Sequence, residues 1–256
     1  PEGHVKLLID SDVLKDEFNG EATASKLARV REQMEKEEAQ YHIISTLDDI
    51  AWILNVRGND IPHVPVVLSF LVIGKEDAMW FVEENALSDA VKEMAAECGI
   101  SIRPYEDVYA YAATIPENST VLLDKRKVNY RITNALSETV HIVSKANPSQ
   151  LMKSIKNEIE LENTRKAHLL DGIAVTKFMY WLKKNVGKIP MDEVSVSDYL
   201  QSLREQMEGY RDISFDTIAG YNANAAMMHY KAEPDTAAKL EPQGMLLVDS
   251  GGHYDT

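Results

Sequence analysis

The feature that most constrains the fold is a change of hydrophobic pattern at Asn147-Pro148. Before it, short apolar runs alternate with amphipathic segments, which is typical of an α/β domain with a mixed sheet. The runs at 66–73 and 78–82 flank a polar turn and predict a hairpin. A helix is expected to begin at Thr46, because Asp48 and Asp49 favour a helix amino terminus. The predicted strands are 41–45, 66–73, 78–82, 100–103, 120–124 and 139–143.

After Asn147-Pro148 the pattern changes to long helices followed by strands. Apolar residues recur every three or four positions over 150–187 and again over 192–207, which predicts two amphipathic helical segments. The predicted strands are 216–219, 225–230 and 245–249. This order predicts a separate α+β domain. We therefore expect a connecting segment at 1–19, an α/β domain at 20–146 and a second domain at 147–256.

Charge and composition exclude several classes of protein. The 256 residues carry 27 Lys and Arg against 41 Asp and Glu, a net charge of −14, and no basic run that would bind nucleic acid. The longest apolar stretch, Val64 to Ile73, is far shorter than the ~20 residues of a membrane helix. No signal peptide is recognisable. Cys98 is the single cysteine, which excludes a disulfide within the chain. These features predict a cytoplasmic protein without nucleic-acid or membrane partners.

Three polar positions are candidates for chemistry. Asp249 ends a predicted strand, where a carboxylate can bind a cation or cap the following turn. His229 lies on the predicted strand 225–230, where a buried structural histidine is the alternative to a catalytic one. The loop Arg57-Gly58-Asn59-Asp60 could face a substrate or simply end a helix. The pattern alone favours the structural alternative at each position.

Four separated blocks together resemble one family. They are Thr46 to Asp60 with Pro65-Val66, the helical segment from Lys156 to Leu182, Phe215 to Tyr230, and Leu246 to Tyr254. In this order they resemble Xaa-Pro aminopeptidases (aminopeptidase P). The resemblance implies a creatinase N-terminal-like mixed-sheet domain, followed by the first part of a pita-bread (creatinase/aminopeptidase) catalytic domain.

The resemblance also implies an activity and a set of site residues. The expected activity is a metallo-aminopeptidase that releases the N-terminal residue when proline follows it, with two divalent cations, expected to be Mn²⁺. Asp249 corresponds to the first of five metal ligands, His229 to a non-ligand histidine with a catalytic role, and Phe215 to a substrate-binding position on the same sheet. The expected partners are proline-containing peptides and a second copy of the protein in a homodimer.

The remaining metal ligands of the family would lie beyond Thr256. The second aspartate is expected about eleven residues after Asp249, with a histidine and two glutamates later. We therefore expect this chain to be a piece of a longer protein, lacking its first domain and half of its catalytic domain, and to be inactive by itself. Two alternatives stay open: a metal-free pita-bread binding or chaperone-like module, and a prolidase or creatinase-like hydrolase of the same fold.

Overall fold

The structure is a computed structural model that describes residues 11–255. Internal contacts divide the chain into two units, residues 1–159 and residues 160–256. The predicted fold class is confirmed, because a mixed sheet with helices forms the first unit, and helices followed by antiparallel strand pairs form the second.

The first unit alternates strands and helices. Its strands are β1 Asp12–Val13, β2 Tyr41–Ile44, β3 Val56–Arg57, β4 Ser69–Gly74, β5 Ala78–Val82, β6 Ile100–Arg103, β7 Thr120–Leu123 and β8 His141–Ser144. Its α-helices are α1 Asp16–Asn19, α2 Thr23–Lys36, α3 Leu47–Leu54, α4 Asp89–Glu97, α5 Asp107–Thr114, α6 Tyr130–Ala135 and α7 Pro148–Ser154. A 3-10 turn, Glu84–Ala86, precedes α4.

Six of these strands form one mixed sheet in the order β6-β5-β4-β2-β7-β8. The predicted hairpin is confirmed, since β4 and β5 pair antiparallel. Alternate residues of β4 enter two different cores: Leu71 and Ile73 lie in one, and Phe70 and Val72 in the other. Because both faces of the sheet are covered, β4 is buried along its whole length.

The predicted connecting segment 1–19 lies partly outside the described residues. In the described part, β1 pairs antiparallel with β3, placing Asp12 opposite Arg57. The predicted domain boundary at 146/147 also differs from the division into contact units. Helix α7 follows that boundary but packs against α2 and α3, so it belongs to the first unit. The domain boundary itself stays a prediction.

The second unit contains two helices and two strand pairs. They are α8 Glu158–Asn185, which begins two residues before this unit, α9 Glu193–Glu205, β9 Tyr210–Ile213, β10 Ile218–Tyr221, β11 Leu246–Asp249 and β12 Gly252–Tyr254. The antiparallel pairs are β10 with β11 and β9 with β12. Its core joins Ala174 and Phe178 of α8 to Val196 and Leu200 of α9.

The prediction of a single helical segment over 150–187 is wrong in one respect. The segment is two helices, α7 and α8, because Ile155 adopts an extended backbone at the end of α7. Although α8 is 28 residues long, charged side chains interrupt it throughout. Over residues 11–255, no helix has the combination of length and hydropathy that a bilayer span requires.

Candidate functional site

Asp249 lies where one strand pair of the second unit gives way to the other. As predicted, it is the last residue of a strand, β11, and it stands opposite Ile218 of β10. The chain then turns and pairs Gly252 with Ile213 of β9. The Ser214 amide donates to the Gly251 carbonyl at 3.0 Å and closes this junction. Asp249 is exposed at the strand end, where a ligand can reach its carboxylate.

Phe215 borders the same junction. It follows β9, and its side chain is 37% exposed. A Cβ added to Gly251 would lie 3.8 Å from the Phe215 ring and 2.4 Å from the Ser214 hydroxyl. The glycine therefore leaves room for the Ser214 hydroxyl, and the Phe215 ring lies at ordinary contact distance from the turn after Asp249.

The predicted strand 225–230, which was to carry His229, is wrong. Asn222–Ala226 form a 3-10 helix instead, and His229 has a left-handed backbone with φ of 53°. Asparagine side chains bond to other elements here: Asn222 accepts from the Met245 amide at 2.9 Å, and Asn224 donates to the Glu193 carboxylate at 3.0 Å. The core-histidine alternative also fails, because His229 is exposed and the adjacent Met228 is 91% exposed.

Glu193, which the sequence reasoning missed, organises the segment that carries His229. Its carboxylate is fully buried and accepts hydrogen bonds from the Tyr221 amide at 2.6 Å, the Tyr230 hydroxyl at 2.6 Å and the Ala238 amide at 2.8 Å. The Asn224 side-chain amide also donates to both carboxylate oxygens, at 3.0 and 3.1 Å. In sequence, Glu193 is indistinguishable from an ordinary acidic residue in the first turn of a helix.

These hydrogen bonds determine the ionisation of the Glu193 cluster. Burial alone would raise the pKa of Glu193, but the bonds from Tyr230, Tyr221, Ala238 and Asn224 outweigh it and lower that pKa. The same contact with Glu193 raises the pKa of Tyr230 to about 12. At neutral pH the pair is therefore an ionised carboxylate and a protonated phenol that donates to it.

A metal centre needs more ligands than the described residues supply. Among residues 11–255, no three His, Cys, Asp or Glu side chains come together as a potential metal site. A hard cation such as Mg²⁺ or Ca²⁺ takes about six oxygen ligands or more, several of them carboxylates, and Asp249 offers one. The residues present therefore do not fit a complete divalent site, and the ligand role of Asp249 stays a prediction.

The loop at 57–60 belongs to the first unit and has a structural explanation. The Asp60 carboxylate accepts from the Leu68 amide at 2.7 Å, and the Asp60 amide donates to the Val66 carbonyl at 3.3 Å. Gly58 lies against Val67, where a Cβ would come within 2.5 Å of a methyl group. These contacts explain the polar loop without a substrate.

Two family models match consecutive parts of the chain. The model described as the creatinase/prolidase N-terminal domain matches residues 10–160. The model of metallopeptidase family M24 matches residues 162–256. The fold described above and the sequence families therefore change at nearly the same point of the chain.

Curated relatives and a solved structure are similar over nearly all of the chain. A probable Xaa-Pro aminopeptidase P from Neurospora crassa is 34% identical over 94% of the chain, and Xaa-Pro aminopeptidase 1 from Dictyostelium discoideum is 36% identical over 94%. The X-prolyl aminopeptidase from Caenorhabditis elegans, a cytosolic enzyme with a di-nuclear active site, superposes with a TM-score of 0.91 over 99% of the chain at 28% identity. The chain spans 37%, 39% and 42% of these three proteins.

Proposed function

Because the chain belongs to the creatinase/prolidase N-terminal family and continues into metallopeptidase family M24, we propose that the full-length protein is a metal-dependent aminopeptidase. It releases the N-terminal residue of peptides that have proline in the second position. The similarity to Xaa-Pro aminopeptidases of Neurospora, Dictyostelium and Caenorhabditis supports this activity. The chain spans about two fifths of those proteins, so the proposal concerns the full-length protein.

The observation that carries the proposal is that Asp249 and Phe215 are both exposed and border the same turn of the second unit. Asp249 would supply one ligand to a pair of divalent cations, and the rest of the full-length protein would supply the others. Mn²⁺ is the proposed ion. Phe215 offers an apolar surface to the substrate, as a proline-containing peptide would require.

His229 is the proposed catalytic side chain of this chain. Its imidazole is exposed, and its neighbour Tyr230 is held to the buried Glu193 carboxylate. A neutral imidazole can accept a proton on one ring nitrogen and donate from the other, so it can hydrogen-bond the substrate or move a proton at the peptide nitrogen. We further propose a cytosolic location, by analogy with the Caenorhabditis enzyme, and a homodimer.

The direct test uses the full-length protein loaded with Mn²⁺. It compares hydrolysis of the tripeptide Xaa-Pro-Pro with hydrolysis of Xaa-Ala-Pro, where both peptides have the same first residue. We expect release of the first residue from the proline peptide only, and loss of that release after metal chelation. Cleavage of the dipeptide Xaa-Pro but not the tripeptide would favour a prolidase. A protein that binds no metal and cleaves neither peptide would favour the binding-module alternative.

A further inference from the structure

We propose that Glu193 is a positioning residue for His229, which rests on the proposed function. Glu193 is buried with 0% exposure, so it does not touch a substrate. The four residues that donate to its carboxylate, however, all lie on the segment 221–238, which contains His229. A single ionised side chain therefore fixes this segment on both sides of the histidine.

The carboxylate is itself held rigidly at the amino terminus of α9. Asp192 caps that helix: its side chain accepts from the Ser195 amide at 2.8 Å, while the Ser195 hydroxyl accepts from the Asp192 amide at 2.9 Å. This reciprocal capping box fixes the first turn, where Glu193 is the first residue. The backbone that carries Glu193 is therefore fixed by contacts within α9 as well as by the segment.

The anchors lie before, beside and after His229. The Tyr221 amide ends β10, Asn224 lies in the 3-10 helix, and Tyr230 directly follows the histidine. After the histidine, Ala238 contacts Glu193 twice: its amide donates to the carboxylate, and its carbonyl accepts from the Glu193 amide at 3.2 Å. Both ends of the segment are therefore bonded to the same residue of α9, Glu193.

The backbone of His229 explains why such anchoring matters. A non-glycine residue with φ of 53° occupies a sparsely populated conformation that surrounding contacts must maintain. The nearest of these contacts is the bond from the Tyr230 hydroxyl to Glu193 at 2.6 Å. Without an acceptor there, the Tyr230 side chain would lose its buried partner and His229 would lose its fixed direction.

The test is a double-mutant cycle on peptide hydrolysis by the full-length, metal-loaded protein, using Glu193→Gln and His229→Gln. Glutamine keeps the shape of Glu193, but its NH₂ group replaces one of the two oxygens that accept hydrogen bonds from the segment. For Glu193→Gln we expect kcat to fall about tenfold, with a smaller change in KM and an unchanged metal content. If Glu193 acts through His229, the double variant will be no more than about threefold slower than His229→Gln alone.

Glu205→Gln serves as the matched control, because it makes the same substitution at an exposed residue of α9 that forms none of the bonds to the segment. It should retain nearly wild-type kcat. If Glu193→Gln does not fold, Tyr230→Phe enters the same cycle, since it removes only the hydroxyl that donates to Glu193 and accepts from Asn224. Additive losses in the cycle, or full activity of Glu193→Gln, would overturn the inference. An inactive wild-type protein would instead refute the proposed function.

Discussion

Arg204 and Asp171 form a bidentate ion pair inside the second unit. The Nε and Nη2 atoms of Arg204 donate to the two Asp171 oxygens at 2.7 and 3.1 Å, and the guanidinium is 1% exposed. The Tyr254 hydroxyl donates to the same carboxylate at 3.0 Å. Burial acts to raise the pKa of Asp171, but the bonds to Arg204 outweigh it and lower that pKa. The ion pair joins α8 to α9, and Tyr254 adds β12, the strand that follows Asp249 in the sequence.

Asp171→Asn should destabilise this unit, because it leaves the Arg204 guanidinium buried without a counter-charge. Removing one partner of a buried pair costs about 3–5 kcal/mol, and the partial exposure of Asp171 places the effect at the lower end of that range. Hydrogen exchange of peptides covering β9 and β12 measures the local opening free energy. Tyr254→Phe, the control, removes one hydrogen bond and should cost about 1–2 kcal/mol. Equal protection in Asp171→Asn and wild type would contradict the prediction.

His42 makes the first unit sensitive to acid. It is completely buried on β2, and its Nδ1 donates to the Leu122 carbonyl at 3.0 Å. Burial lowers its pKa to about 4 from an ordinary value of 6.5. The unfolded chain therefore takes up a proton at higher pH than the folded chain, so stability is complete above pH 6.5 and falls as pH drops toward 4.

We expect this residue to remove about 3 kcal/mol of stability over that pH range, following the linkage of pKa shifts to unfolding. Urea unfolding followed by tryptophan fluorescence, near neutral pH and at about pH 4.5, measures the loss. His42→Asn is the control, since its side-chain amide can still donate to Leu122 but does not titrate. An identical pH dependence in wild type and His42→Asn would show that His42 is not responsible.

Gly220→Ala should disturb the segment that carries His229. A Cβ at Gly220 would lie 2.9 Å from backbone atoms of Ala225 in the 3-10 helix, which cannot move aside as a side-chain tip can. Overpacking of this kind costs about 1–3 kcal/mol, and we expect a parallel loss of kcat. Gly172→Ala is the matched control, because a Cβ there meets nothing within 4 Å. It should be neutral or stabilise α8 by about 0.5–1 kcal/mol. Similar thermal stability of both variants would contradict this account.

Phe215→Ala should weaken substrate binding more than turnover. The half-exposed ring offers apolar area at the junction beside Gly251, and losing about 1 kcal/mol of such contact corresponds to a roughly fivefold rise in KM. Steady-state kinetics on the proline tripeptide measure it in the full-length protein. Tyr130→Ala, which removes an 81% exposed aromatic ring from the first unit, controls for general effects. A fall in kcat at constant KM would argue against a binding role.

Much of the fold follows from periodicity. The β4–β5 hairpin, the mixed sheet and the position of Asp249 at a strand end were all predictable, because apolar runs and polar turns there agree with the local structure. The structure of the segment around His229 was not predictable, because its apolar Ala-Ala-Met-Met run has the pattern of a strand. Asparagine side chains and a left-handed histidine, rather than hydrophobic burial, determine its path.

Glu193 illustrates the other limit. Its position after the cap residue Asp192 indicates a helix-dipole charge, and nothing local distinguishes it from other first-turn acids. Its importance comes from donors that lie 28 to 45 residues later in the chain, a relationship that only the folded structure reveals.

The central claim is that Asp249 is a metal ligand of a peptidase site, and metal analysis of the full-length protein with Asp249→Asn tests it most directly. We expect the variant to bind less metal than wild type and to lose hydrolysis of the proline tripeptide. The exposed Asp235→Asn should retain both, because it removes the same charge from the same unit. Unchanged metal content and rate in Asp249→Asn would contradict the account.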